Sequence, residues 1–465
     1  MRRSGHSASL SHPWLGVTLP ALTLGVAFLL RTWDVSRHFW LLGDQIRDWS
    51  IALGPMTSLP LVGPATHVHG YTIGPAFYWI LWCIRVVVGP FFQNLPHGGG
   101  IGQALLQSAV DTLLLIAVWK RTQSVWLGLT TVTLLVTAPF NLALSAVIWN
   151  PIVGSILATA ATGLILLDWH RGSLVRTTVT AAIAWSAVHA YTGAIFVALG
   201  VFAALLIDAC VDREWAVLRR RVLIIAGTVM ALQIPYLLHQ WTTGFDDSGM
   251  TAVTSSLGRM LTGREPIRWS TSGRFYVQAL TSIHAIPGST ATWAWILILC
   301  AASMAVRHRR DATLLTIALV PQAAAILGYA LWFGDLDSYY YMSLMPAAVL
   351  TIVLGTHAVI PARLARVAGV AFLAGALAIV PARVSLATTL FRMPQYLALV
   401  SGSKEIIKRR QPMQSIGTEF DLHATTDPEF IFRILGGRID RRAPWRAVIL
   451  PDGRVEYRQP GGRGI

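Results

Sequence analysis

The chain reads as an all-α integral membrane protein with about eleven transmembrane helices, and three observations lead there. Of its 465 residues, 54% are hydrophobic and only 13% charged, whereas a soluble protein carries about 25% Asp, Glu, Lys and Arg. The apolar residues gather in runs of the length that crosses a bilayer, roughly 20 residues, and the mean hydropathy is +0.56. The basic residues behind the net charge of +15 fall in short clusters between those runs. Such spacing reads as a topology signal rather than a nucleic-acid surface. Cys83, Cys210 and Cys300 sit in apolar contexts without CxxC spacing, so neither a disulfide framework nor a metal knuckle is implied.

The first run, 15–30, follows Arg2 and Arg3 and has no small-residue cleavage site after it. It reads as a retained anchor with its N-terminus in the cytoplasm. Ten further spans are expected at 103–119, 125–147, 152–168, 177–192, 194–210, 222–239, 289–306, 312–332, 342–360 and 365–382. The apolar stretch 73–92 is the ambiguous one, and the positive-inside rule arbitrates. If it does not cross, Lys120/Arg121, Arg171/Arg176, Arg213/Arg219/Arg220/Arg221, Arg307/Arg309/Arg310 and Arg363/Arg366 all lie inside. If it crosses, every one of those loops moves outside. Arg85, in the middle of the stretch, would also be costly at the bilayer centre. So 73–92 is expected to lie in the interface.

This gives a membrane domain over 1–383 and a small polar segment, 384–465, on the outer side with the C-terminus. Two long outer loops are expected, 31–102 and 241–288. Small residues over 157–163 suit close helix packing. In the tail, strand-like pieces at 446–450 and 454–457 flank Pro451-Asp452-Gly453, a hairpin signal. No internal repeat is evident, which weighs against the repeat-built transporter architectures.

The candidate chemistry clusters at the outer face. Asp44, Arg47 and Asp48 stand at i, i+3 and i+4 and would share one side of a helix. A carboxylate beside an arginine stays ionised and can act as a general base, so Asp44 and Asp48 are the catalytic candidates. The plainer alternative is a solvated helix start with Asp44 as its cap. His67 and His69, two apart, could share a metal from an extended segment, or serve as interfacial hydrogen-bonders. Asp111 sits within a span, where an ionisable group reads as functional or as a tie to a neighbouring helix. His189 and His239 lie at outer helix ends and could line one cavity. The Tyr339-Tyr340-Tyr341 run reads either as an aromatic belt or as a surface for a sugar ring. Arg37, Arg47, Arg85, Arg259, Arg264, Arg268 and Arg274 give the outer face cations that could grip a lipid phosphate. No P-loop, nucleophile elbow, HExxH or dinucleotide fingerprint occurs.

The order of these features resembles a known family. An Asp in the first outer loop, then Leu61-Val62-Gly63-Pro64, His69-Gly70-Tyr71-Thr72-Ile73-Gly74-Pro75-Ala76-Phe77-Tyr78-Trp79 and Ile148-Trp149-Asn150-Pro151 resemble the bacterial GT-C glycosyltransferases. These include the lipid A aminoarabinose transferase and the protein O-mannosyltransferases. The resemblance covers about 15–240; beyond that only the pattern of spans and a polar tail matches. It implies a bacterial cytoplasmic membrane enzyme that takes a sugar from a polyprenyl-phosphate donor. The acceptor would be a lipid, protein or glycan on the outer face, and the transfer inverting. It implies interfacial helices in the first loop, Asp44 as the residue that takes or orients the acceptor's proton, and a divalent metal as candidate cofactor. Arg47, Arg85, Asp111, Asn150, His189 and Tyr340 are then the expected substrate contacts, with His69 and His239 as metal ligands.

Departures from the family pattern fall on the same residues. Gln45 follows Asp44 where many relatives have a second acid, and Asn150 stands where the aminoarabinose transferases carry an Asp. His69-Gly70 occupies the place of a metal-binding Glu. A flippase or transporter of a lipid-linked sugar is the competing reading; it would put ionisable residues at the midplane, whereas here they gather at one face. A glycan polymerase or ligase would differ only in its acceptor.

Overall fold

A computed structural model describes residues 15–33, 35–66, 70–245, 248–332, 334–391, 393, 395–420 and 426–459. The chain opens with α1 (Leu15–Thr32) and enters the first loop through α2 (Val35–His38), α3 (Gly43–Ala52) and α4 (Ala76–Val88). The bundle continues with α5 (Leu95–Thr122), α6 (Val125–Val136), α7 (Pro139–Leu144), α8 (Asn150–Leu166), α9 (Leu174–Ala190), α10 (Ile195–Val211) and α11 (Trp215–Thr242). The second long loop holds α12 (Ser248–Leu261) and α13 (Trp269–His284). Then come α14 (Thr290–Arg307), α15 (Ala312–Ala330), α16 (Met345–Ala358), α17 (Ala365–Ala378) and α18 (Val380–Ala387). The tail adds α19 (Gln395–Lys408), β1 (Ser415–Thr418), α20 (Pro428–Ile434), β2 (Arg446–Ile449) and β3 (Val455–Arg458).

The expected spans fall largely on helix. Seven helical stretches are long and apolar enough to cross a membrane by length and composition, and the helices near 16–32, 125–136 and 150–166 are apolar but shorter. The expected span 125–147 is broken: α6 stops at Thr137, and Pro139 starts α7. Proline lacks the N–H the helix would need there and clashes with the preceding turn, so the chain restarts rather than continues. Large apolar side chains stay exposed along α11 (Leu223, Met230, Ile234, Leu238), α14 (Trp295, Ile298, Leu299) and α17 (Val367, Leu377). On a polytopic membrane protein such faces meet lipid.

The two ends of the bundle differ. At one end the basic clusters are knitted to acids: Arg121 pairs with Asp311 and, at 2.7 Å, with Asp168, while Asp208 holds Arg221 at 2.5 Å and Arg171 at 3.2 Å. His170 lies buried beside this network, its pKa lowered to about 4 chiefly by burial. At the other end the first loop and the tail share a second core, in which Phe39, Trp49, Phe77 and Leu81 pack with Tyr396, Leu399, Phe432 and Ile449. The Gln93 amide donates to Leu435 O at 2.7 Å and Thr426 Oγ1 to Leu41 O at 3.0 Å. Loop and tail therefore stand at the same end.

The tail holds the strands expected there and one more. Its three strands form one sheet in the order β1-β2-β3, with β1 parallel to β2 and β2 antiparallel to β3. The β2–β3 hairpin turns at 451–453 as expected, closed by Leu450 N–H donating to Arg454 O at 2.8 Å. The four-residue β1 was missed because Ser-Ile-Gly-Thr is too short to show alternation.

Candidate functional site

The site is built on α3. Gln45 Oε1 accepts from Leu42 N–H at 2.9 Å, satisfying one of the backbone donors that a helix start leaves open. The residue standing in place of a second acid is thus buried and serves the helix. One turn of α3 presents three charges. Arg47 Nη1 donates to Asp44 Oδ1 at 3.0 Å, and its Nε and Nη2 both reach Asp48 Oδ1 at 2.9 Å. Tyr78, from α4, donates its hydroxyl to the same oxygen at 3.0 Å. Asp44 is exposed, at 58% for the side chain, and Asp48 almost wholly enclosed, at 2%. Burial pushes the Asp48 pKa up to about 6 against the lowering effect of Arg47 and Tyr78. It also raises Tyr78 above the usual phenol range.

Asp44 and Arg47 open onto a cavity of about 410 Å³ at the loop end of the bundle, within the range of small-molecule sites. Its walls come from four places. The Gly63–Thr72 loop gives Ala65, Thr66 and Thr72; the α8 start gives Trp149, Asn150 and Pro151; the α9–α10 junction gives Tyr191 and Thr192. The end of α15 and the segment after it give Tyr329, Trp332, Tyr339 and Tyr340. The aromatic rings brace one another: Trp149 and Tyr339 lie with centroids 4.7 Å apart, Tyr339 and Tyr340 4.7 Å edge to face. Tyr329 also donates to Tyr340 O at 3.2 Å.

The Gly63–Thr72 loop is itself clamped. Gly63 N–H donates to Thr72 O at 3.1 Å and Thr72 N–H to Pro64 O at 3.0 Å, and the residue that follows rests on the bundle. There, Gln233 Nε2 donates to Ile73 O at 2.8 Å, while its Oε1 accepts from Trp185 Nε1 at 3.1 Å and lies 3.2 Å from His189 Nε2. Indole can only donate, so the amide oxygen must face Trp185. His189 must then donate from Nε2, leaving Nδ1 bare. Gly74 stands against that ring, where any Cβ would strike it.

The expected site residues separate accordingly. Asp44, Arg47, Asn150 and Tyr340 line the cavity. Asp48 does not; it holds Arg47 from behind. Arg85 donates to Ala52 O and Gly54 O, both at 2.7 Å, a cation closing the α3 C-terminus rather than a cavity group. Asp111 pairs with Arg31 of α1 at 2.5 Å, deep in the bundle, which answers the cost of a carboxylate within a span. His189 serves the clamp, and His239 packs edge-on to Tyr71 with centroids 5.9 Å apart. His67 and His69 lie outside the described residues. Among the described residues no three His, Cys, Asp or Glu side chains come together as a metal site. Sequence reasoning missed Tyr329, Trp332 and Gln233. A lone amide inside an apolar run was the one available signal for the last.

No family model matches the sequence and no curated protein is significantly similar to it. Among solved structures the chain is similar to ArnT from Cupriavidus metallidurans bound to undecaprenyl phosphate, at 15% identity, over 92% of this chain and 86% of that one, with a TM-score of 0.52. The apo state of the same protein matches at 14% identity over 91% and 85%, TM-score 0.49. The Archaeoglobus fulgidus oligosaccharyltransferase in complex with Zn and sulfate matches at 16% over 92% and 62%, TM-score 0.47. The first of these likenesses carries the conclusion: the chain is a multi-pass membrane protein with the fold of ArnT.

Proposed function

We propose that the protein is a glycosyltransferase that moves a sugar from a polyprenyl-phosphate donor to a lipid, protein or glycan acceptor at the outer face of a bacterial cytoplasmic membrane. The observation that carries the reading is the pairing of an exposed carboxylate, Asp44, with a buried-backed cation, Arg47, at the mouth of an aromatic cavity. It is supported by a fold shared with a protein bound to undecaprenyl phosphate.

The chemistry follows from those groups. The acceptor's heteroatom attacks the anomeric carbon from the face opposite the phosphate, the bond from that carbon to the phosphate oxygen breaks, and polyprenyl phosphate leaves. The configuration inverts. Asp44 takes the acceptor's proton, and Arg47, held in place by Asp48, balances the charge on the departing phosphate. The basic, ion-paired end of the bundle faces the cytoplasm, which puts the cavity outside, with the tail (384–465) capping the first loop of the membrane domain (1–383). Among the described residues the buried pair Arg31–Asp111 ties two helices together, which weighs against reading it as a station on a transport path. The test is transfer of radiolabelled sugar from defined polyprenyl-phosphate donors into membrane extract, by wild type and Asp44→Asn. Protein-dependent movement of intact donor across vesicles, with no transfer, would favour the transporter instead.

A further inference from the structure

We propose that the arginine-rich edge of the tail is a docking surface for anionic phospholipid headgroups, holding the tail against the membrane beside α4. Two observations carry it: exposed arginines gathered around one short segment, and the attachment of that segment next to an apolar helix end. The stretch 438–446 holds four arginines and one carboxylate, Asp440. It is tied to the residues that precede β1. Met413 N–H donates to Arg438 O at 3.1 Å, Arg441 Nη1 to Gln414 O at 3.0 Å and Arg446 Nε to Gln414 Oε1 at 2.8 Å. Arg410 enters the same edge from the end of α19, and Arg410, Arg438, Arg441, Arg442 and Arg446 are all exposed.

The acids nearby are engaged. Glu429 pairs with Arg441 at 2.8 Å and with Arg433 at 3.4 Å, while Asp440 Oδ1 accepts from the Arg442 backbone N–H at 3.0 Å. Guanidinium groups gathered within a Debye length repel one another, so an arriving counter-charge is favoured. Their planar forks match phosphate oxygens. The place of the edge selects a lipid phosphate. Three residues before Arg438, Leu435 O accepts from Gln93 Nε2 at 2.7 Å, and Tyr396 Oη accepts from Asn94 Nδ2 at 2.8 Å. Gln93 and Asn94 form the turn between α4 and α5, and just before it Val86, Val87 and Phe91 are exposed. Such an apolar row settles at the boundary of headgroups and acyl chains. The turn then stands at headgroup depth, and the arginine edge begins beside it. A free phosphate would meet the arginines without the apolar row; a membrane meets both.

The experiment titrates full-length protein in neutral detergent with phosphatidylglycerol, phosphatidylcholine or inorganic phosphate. Bound lipid is counted by native mass spectrometry, and the site is read from amide exchange over 410–446. Wild type is compared with R410Q/R438Q/R442Q, which leaves the ties of Arg441 and Arg446 to Gln414 in place. Each basic residue near an anionic surface contributes about a fivefold gain in affinity, so the triple variant should bind phosphatidylglycerol about 100-fold more weakly. In wild type, phosphatidylglycerol should protect 438–446, and phosphatidylcholine should not. Equal binding of the two lipids, or undiminished phosphatidylglycerol binding by the variant, overturns the proposal. Protection by inorganic phosphate as strong as by phosphatidylglycerol at the same concentration overturns the lipid assignment. Should the variant lose the fold of its tail, salt decides with wild type alone: protection is expected to vanish at about 0.5 M NaCl, and protection that persists there overturns the proposal.

Discussion

Tyr78→Phe isolates the Asp48–Arg47 unit. Asp48 Oδ1 accepts hydrogen bonds from Arg47 Nε at 2.9 Å and Tyr78 at 3.0 Å and lies 2.9 Å from Arg47 Nη2 in an ion pair, and its pKa stands at about 6 because burial outweighs them. Below that pH the neutral carboxyl no longer holds the guanidinium, so kcat/KM should fall on the acid side with an apparent pKa near 6. A hydrogen bond to an ionised acceptor contributes about 1.5 kcal/mol, and one pKa unit corresponds to about 1.4 kcal/mol. Removing the hydroxyl should therefore move the acid limb up by about one unit, while leaving the plateau above pH 8 within about threefold. The assay is kcat/KM for sugar transfer from pH 5 to 9. An acid limb that stays put, or moves down, would refute the reasoning.

Stability runs the other way over the same window. The folded pKa of Asp48, about 6, exceeds the ordinary carboxylate value of 3.8, so its contribution to the fold is fully present below about pH 4. It is lost as pH rises to about 6, by an order of 3 kcal/mol. The fold favours a neutral Asp48; the site needs it ionised.

Three further outcomes follow from the geometry. Gln233→Leu, apolar and unable to bond Ile73 O, Trp185 and His189, should lower kcat/KM about tenfold at unchanged expression, and the isosteric Gln233→Glu should recover part of it; equal activity in all three would dissociate the clamp from the site. His239→Ala should leave kcat/KM within about threefold, because the ring packs on Tyr71 outside the cavity wall; a larger loss restored by excess Mn²⁺ would make it a metal ligand. A cysteine replacing Phe91, 80% exposed at the end of α4, should react with an impermeant maleimide in intact cells; labelling only after permeabilisation would invert the proposed topology.

The sequence made the helical, membrane-embedded class legible because long apolar runs with basic ends leave little choice in a bilayer. It hid the break at Pro139, since proline occurs in spanning helices elsewhere in this chain, at Pro235 and Pro321, without ending them. The site was legible in part. Asp44, Arg47, Asn150 and Tyr340 were picked out as polar or aromatic groups near one face, and they do line one cavity. Arg85, Asp111 and His189 were picked out on the same grounds, yet each is used to tie backbone or helices together. Within one sequence a buried charge that holds the fold looks the same as one that meets a substrate; only the partner distinguishes them. Tyr329 and Trp332 were hidden for a related reason, since aromatics at the end of an apolar run read as an interfacial belt.

The central claim is that Asp44 acts on the acceptor from the mouth of this cavity. Its most direct test is transfer from a polyprenyl-phosphate sugar by Asp44→Asn, in which size and helix position are kept and the basic oxygen is lost. The account predicts a fall in kcat of about 10³-fold, the scale of a general-base contribution, with donor binding and membrane insertion unchanged. Undiminished turnover in that variant would contradict it.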